Sequence, residues 1–243
     1  MKLLLLLALA SALFPLSALA DQALQKDVFK TTGGDLGISF VGHASLIFTF
    51  GGKTIHVDPT TMFGDYSKLP KADLVLITHD HFDHFDPKAL ELITTKETPV
   101  VATSTVAKKL PNCTVMKNGD AISIEGLKIE AVPAYNVVHE RSPGNPYHPK
   151  GVGNGYVVTF GDKRVYVAGD TENIPEMKAL KNIDIAFLPM NLPFTMTPEM
   201  VADAAKAFMP KVLYPYHFGE TDTSELVDLL KSVPIDVRIR NLQ

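Results

Sequence analysis

The sequence predicts an α/β domain of four layers, with two sheets packed face to face and helices on their outer faces. Three observations carry that expectation. From residue 36 onward, short β-rich runs alternate with helical stretches. A hairpin-like segment occurs twice: Thr49-Phe50-Gly51-Gly52-Lys53-Thr54-Ile55-His56-Val57 aligns without gaps with Thr159-Phe160-Gly161-Asp162-Lys163-Arg164-Val165-Tyr166-Val167, five positions being identical and a sixth Ile against Val. No proline- or serine-rich linker lies between the copies, so they read as halves of one domain, each a sheet with its own helices.

The elements follow in order. Lys2, an unbroken apolar run from Leu3 to Ala10, and the ending Ala18-Leu19-Ala20 have the parts of a secretory signal peptide cleaved after Ala20. Pro15 and Ser17 interrupt the run, and a transmembrane anchor needs about 20 apolar residues. The expectation is a leader over 1–20, a mature domain over 21–243, a periplasmic or secreted location and no stable membrane anchor. Residues 36–40, 45–50 and 54–57 read as strands, with Gly51-Gly52 turning the hairpin. The continuous apolar run 74–78 suits a strand buried on both faces. Asp86-Pro87 has the form of an N-cap followed by proline at the first helical position, opening a helix to about residue 92. Further strands are read at 99–102, 127–132, 155–160, 164–168, 183–188 and 212–216. Thr197 opens a helix with Glu199 in its first turn and Val201, Ala204, Ala205 and Phe208 on one face, and 223–230 is another.

Composition bounds the function. The chain has 243 residues, 46% hydrophobic and 21% charged, which excludes disordered, collagen-like and coiled-coil proteins. A net charge of −4 offers no cationic footprint for nucleic acid or anionic lipid. The single Cys113 permits no internal disulfide and reads as a small buried residue. Histidine is the exception to an ordinary composition: there are eight, three of them within six residues.

Those three lie in Thr78-His79-Asp80-His81-Phe82-Asp83-His84-Phe85-Asp86, a loop joining a buried strand to a helix N-terminus. If the extended backbone persists past Thr78, His79, His81 and Asp83 project to one side and His84 elsewhere. Packing imidazoles and carboxylates so densely is unfavourable unless a cation compensates them, and both are ligands of zinc and similar ions. Asp170 and His217 also sit just past apolar strands, so all these residues can converge on one crevice; taken alone, Gly169-Asp170 reads equally as a plain turn. Gly169 would let the backbone approach an ion closely.

The motif His79-x-His81-x-Asp83-His84 after an apolar strand resembles the signature of the metallo-β-lactamase superfamily of dinuclear metallohydrolases. Val57-Asp58-Pro59, Val167-Ala168-Gly169-Asp170-Thr171 and Tyr214-Pro215-Tyr216-His217 resemble its later landmarks, in order. The resemblance implies a metallo-β-lactamase-like sandwich of two mixed sheets. It also implies two divalent ions, zinc or alternatively manganese or iron, with His79, His81 and a third histidine on one, Asp83, His84 and His217 on the other, and Asp170 bridging. Asp83 and Asp170 then carry the catalytic roles, a metal-bound hydroxide attacking the substrate while Asp83 relays a proton to the leaving group. Where the wider family has its remaining histidine this chain has Asn136. The run His148-Pro149-Lys150-Gly151 resembles a branch with a later histidine, so His148 is the favoured third ligand, with His139 or Asn136 as alternatives. Asp58 is expected to hold a ligand imidazole from behind, while His43, His56 and Asn191 are expected to support the site. Lys150, Tyr135 and Thr171 are candidate substrate contacts.

True β-lactamases of this fold lack the bridging aspartate. The segment Val41-Gly42-His43-Ala44-Ser45 and the histidine loop are similar to the branch containing ascorbate-phosphate lactonase and phospholipase-D-type enzymes of N-acyl lipids. The implied substrate is a small or lipid-like lactone, ester or phosphodiester. The competing expectation is an exported metal- or ligand-binding protein of the same fold without turnover.

Overall fold

The structure, a computed structural model, describes residues 24–242. The expected leader over 1–20 lies outside them, and no helix among the described residues is long and apolar enough to cross a membrane.

One seven-stranded sheet takes the strands in chain order: β1 (Gln25–Thr31), β2 (Gly34–Gly42), β3 (Ser45–Phe50), β4 (Lys53–Val57), β5 (Leu74–Leu76), β6 (Val100–Ala102) and β7 (Thr114–Val115). The other takes β8 (Ala121–Ile124) and β9 (Leu127–Ala134). After a separate two-stranded ribbon, β10 (Glu140–Ser142) and β11 (Asn145–Pro146), it continues through β12 (Gly153–Phe160), β13 (Lys163–Val167), β14 (Ile185–Pro189), β15 (Val212–Tyr216) and β16 (Asp236–Val237). In each sheet three antiparallel pairings are followed by three parallel ones. The repeated sequence is the central hairpin of each, in the same register: Phe50 faces Lys53 as Phe160 faces Lys163.

Period-two burial sets the layers. Leu46, Phe48, Leu74 and Leu76 join the core between the sheets, while Ile47, Val75 and Ile77 face outward. There they meet Ala89, Leu90 and Ile93 of α1 (Pro87–Ile93) and Val106 of α2 (Ser104–Ala107). Across the seam Phe40 lies 5.2 Å from Tyr214 and Phe48 5.4 Å from Phe160, ring to ring. The second sheet is covered by α3 (Pro175–Lys178), α4 (Pro198–Phe208) and α5 (Thr223–Leu230), with Phe208 edge-on over Tyr166. The helices start where their caps predict. Asp86 accepts from Lys88 N–H and Thr197 from Met200 N–H, and the apolar face expected of α4 is buried.

Several short or exposed elements were not expected. β1 is an edge strand with polar composition, its Val28 54% exposed, so it carries little apolar signal. β8 alternates only between exposed and half-buried residues. The strand expected over 74–78 stops at Leu76, and Cys113 is half-buried with a free thiol.

Candidate metal centre

The loops at one end of the seam carry the site. Past β5 the chain does not stay extended: His81 C=O accepts the N–H groups of His84 (3.1 Å) and Phe85 (2.8 Å), closing a tight turn. The expectation that Asp83 shares a side with His79 and His81 is therefore corrected. The turn sends His79 and His81 to one group, with His148 and Asp170, and Asp83 and His84 to another, with His43 and His217. Within each group the donor atoms lie within 4.8 Å of one another. Asp170 stands between the groups, its carboxylate 3.2 Å from His148 Nε2, 3.3 Å from His84 Nε2, 3.4 Å from His217 Nε2 and 3.7 Å from His79 Nε2.

Hydrogen bonds behind the imidazoles fix what they present in front. Buried Asp58 accepts from Thr78 N–H and Thr78 Oγ1, both at 2.7 Å, and from His84 Nδ1 at 2.8 Å. With its proton on Asp58, Thr78 Oγ1 accepts from His79 Nδ1 at 3.0 Å. His148 Nδ1 donates to Asn136 Oδ1 at 2.7 Å. These partners assign the Nδ1–H tautomer to all three histidines. Their Nε2 lone pairs then face the Asp170 carboxylate, itself only an acceptor. Buried acceptors aimed at one another repel unless a cation lies between them. Nε2 of His79, His84 and His217 and Oδ1 of Asp170 have no other partner.

The electrostatics show the same demand for positive charge between these groups. Burial opposes the charge of Asp170, yet the imidazoles of His217 and His84 hold its carboxyl well below the usual range. Burial likewise opposes a charge on His84, but Asp170 and Asp58 raise it well above the usual histidine value. Asp83 is held low against its burial by the nearby imidazoles of His217 and His43. The backbone here is strained. His43, Asp58 and His217 have φ of 53°, 44° and 46°, in the left-handed region that side chains other than glycine rarely adopt.

His148 is the third histidine that the fold brings together with His79, His81 and Asp170. Asn136 lies directly behind it, accepting from both its N–H and its Nδ1 while donating through Nδ2 to Glu172 and to Phe194 C=O. His139 is held away: its Nδ1 pairs with Glu172 at 2.6 Å, and that carboxylate also accepts the backbone N–H groups of Val137, Val138 and His139. Of the supporting residues, Asn191 lines the cavity, whereas His56 lies apart, its Nε2 donating to Pro70 C=O. Gly169 is required by the packing. With φ of 66°, a Cβ on it would sit 2.8 Å from Asn154 C=O. The three candidate substrate contacts are corrected, because none lines the cavity. Lys150 pairs with Glu176 and lies over the Tyr135 ring, and the Thr171 hydroxyl is exchanged with the Tyr135 backbone.

A cavity of about 510 Å³ opens over the centre, with Met62, Phe63, Phe82, Arg141, Asn191 and Phe194 around it. Sequence reasoning missed most of these residues and gave His43 only a supporting place. His43 Nε2 lies 3.2 Å from Asp83, and its ring stacks on Phe63 and packs at a tilt against His217. Its signal in the sequence was its place in the run 41–45.

Fold and site together define a protein of the metallo-β-lactamase type. Residues 37–217 match the β-lactamase superfamily domain. The chain is similar to a metal-dependent hydrolase of Thermus thermophilus, 34% identical over 195 residues that span 75% of this chain and 83% of that one. It also resembles a crystal structure from Parabacteroides distasonis bearing the name metal-dependent hydrolase, with 52% identity, TM-score 0.87, and coverage of 91% of this chain and 100% of that one. A metallo hydrolase of Ignicoccus hospitalis shares 26% identity with TM-score 0.69, over 85% of this chain and 95% of that one. The chain belongs to the metallo-β-lactamase superfamily, among its metal-dependent hydrolases.

Proposed function

We propose that the chain is an exported hydrolase with two divalent cations, acting on a lactone, ester or phosphodiester. The observation that carries the metal assignment is the convergence of the unpartnered Nε2 atoms of His79, His84 and His217 on Asp170. His79, His81 and His148 would hold one ion, and Asp83, His84 and His217 the other, with Asp170 between them and His43 within reach of the second. This set of nitrogen and oxygen donors suits zinc and also accepts manganese or iron. Bound divalent cations supply Lewis acidity and lower the pKa of water towards about 7.

The chain's own residues complete the site. Asp83 lines the cavity and pairs through Oδ2 with His43 Nε2, so a proton bound for a leaving group has a carboxylate–imidazole pair to pass along. Phe63, Phe82 and Phe194 give the cavity an apolar wall that suits an organic ester more than free phosphate. Export rests on the leader-like sequence of 1–20, and N-terminal sequencing of the secreted or periplasmic protein should begin at Asp21.

The test is elemental analysis of the purified protein and its His148→Ala variant, with a panel of lactones, β-lactams and phosphodiesters. Two metals per chain, fewer in the variant, and turnover of a lactone or phosphodiester but no β-lactam are expected. Two metals with no turnover on any class would favour a binding protein. Less than one metal per chain would overturn the centre itself.

A further inference from the structure

The cavity carries one cationic side chain besides its histidines, Arg141, and several observations set that residue apart. Of the four arginines in the chain, Arg164 pairs with Glu130 and Arg238 and Arg240 with Asp27, while Arg141 has no ion pair among the described residues. The adjacent carboxylate of Glu140 instead accepts Gly144 N–H at 2.8 Å. Arg141 lies where the register of the β10–β11 ribbon shifts, between the Glu140–Pro146 and Ser142–Asn145 pairs. Such irregularities re-aim side chains and occur beside active sites.

The side chain is also braced. Its guanidinium carbon stands 5.0 Å from the centroid of the Tyr147 ring, and Tyr147 meets Phe194 edge-on at 5.2 Å. Arg141 and Phe194 both line the cavity, and the next residue after Tyr147 is His148. A stacked guanidinium keeps its N–H fork free, with less freedom to lose on meeting an anion than a lysine has. The acids of the cavity, Asp83 and Asp170, face the histidines. Apart from Asn191, the rest of its wall, Met62, Phe63, Phe82 and Phe194, is apolar.

We propose that Arg141 is a substrate-binding residue that fixes an anionic group at the cavity mouth, so that the molecule hydrolysed here carries a carboxylate or phosphate on an apolar body. This deepens the hydrolase reading and rests on it. The apolar body packs against the phenylalanines while the guanidinium fork sets the distance between the anion and the bond to be cleaved.

The test is calorimetric titration of the metal-loaded protein with phenylphosphonate, which is not hydrolysed, and with neutral benzyl alcohol, in wild type, Arg141→Gln and Arg141→Lys, with metal content measured on each sample. Wild type should prefer phenylphosphonate. Arg141→Gln should weaken it about tenfold, as loss of one charge-assisted contact predicts, with benzyl alcohol and bound metal unchanged. Arg141→Lys should fall between, because a point charge replaces a fork. Benzoate in place of phenylphosphonate separates a carboxylate preference from a phosphate one. Equal phenylphosphonate affinity in wild type and Arg141→Gln, an equal loss for benzyl alcohol, or no wild-type preference for the anion would each overturn the proposal. A wild type without metal would instead sink the hydrolase reading, while the Arg141 dependence is still read from the same titrations.

Discussion

Replacing Asn136 with alanine tests whether the third histidine is held by its neighbour or by general packing. Asn136 is 6% exposed and its side chain makes four hydrogen bonds: Oδ1 accepts from His148 N–H (2.8 Å) and Nδ1 (2.7 Å), and Nδ2 donates to Glu172 Oε1 (3.1 Å) and Phe194 C=O (2.9 Å). Alanine leaves two donors on buried His148 without partners. Each orphaned buried group costs about 1–3 kcal/mol, so unfolding stability should drop by roughly 2–4 kcal/mol in urea titration, with some relief from entering water. It also frees the imidazole to change tautomer, and losing such a partner costs about 10–100-fold in metal affinity. That loss should fall on one ion alone, because His84 and His217 keep their surroundings. Competition against a chromogenic chelator should therefore turn two tight equivalents into one tight and one weak. A fall in stability with both affinities intact would refute the reasoning. Asn136→Asp separates the effects: it keeps the acceptor for His148 but places a second carboxylate against Glu172, so it should lose stability while holding the weakened ion better than alanine does.

Three further outcomes are expected. Asp58→Asn should lower metal affinity by about 10–100-fold, because an amide cannot accept from Thr78 and His84 as the carboxylate does, and the same chelator competition reads it. Gly169→Ala should cost at least ~2 kcal/mol in thermal unfolding, since its left-handed φ of 66° and a Cβ 2.8 Å from Asn154 C=O both oppose a side chain; a loss below half that would mean the loop gives way. Buried His56 has its pKa pushed down to about 4 by burial, only partly offset by its bond to Pro70 C=O. The unfolded chain therefore takes up this proton first, and the contribution present above about pH 6.5 is lost as pH falls towards 4, about 3 kcal/mol in all. His56→Gln should flatten that part of the profile in pH-dependent denaturation, and an unchanged slope would exclude the residue as its source.

Much of the fold was legible because its signals are local. Asp86-Pro87 and Thr197 cap helices by bonds reaching two or three residues, and Leu74 to Leu76 are apolar because both faces of their strand are covered. Candidate ligands were legible as charged or imidazole residues stranded at apolar strand ends. What escaped depends on distant partners. The segment 136–148 is shaped by Glu172, whose carboxylate gathers three successive N–H groups from more than thirty residues away, and nothing near His139 signals that capture. The side on which Asp83 lies is decided by a turn closed on His81 C=O, which alternation cannot foresee. Lys150, Tyr135 and Thr171 are near the ligands along the chain but bonded to one another and to Glu176 instead.

The two matched sheets have a consequence for how the centre comes into being. One half supplies His43, His79, His81, Asp83 and His84; the other supplies His148, Asp170 and His217. Neither half alone has the members of either ligand group as seen here. The bond from Asn154 N–H to Thr78 C=O and that from His217 N–H to His43 C=O stitch the two sets together at the seam. The centre thus acts as a coincidence detector: it exists only when both halves are folded and docked in register. A chain misassembled at the seam loses the paired site altogether, so metal occupancy doubles as an inspection of the finished fold.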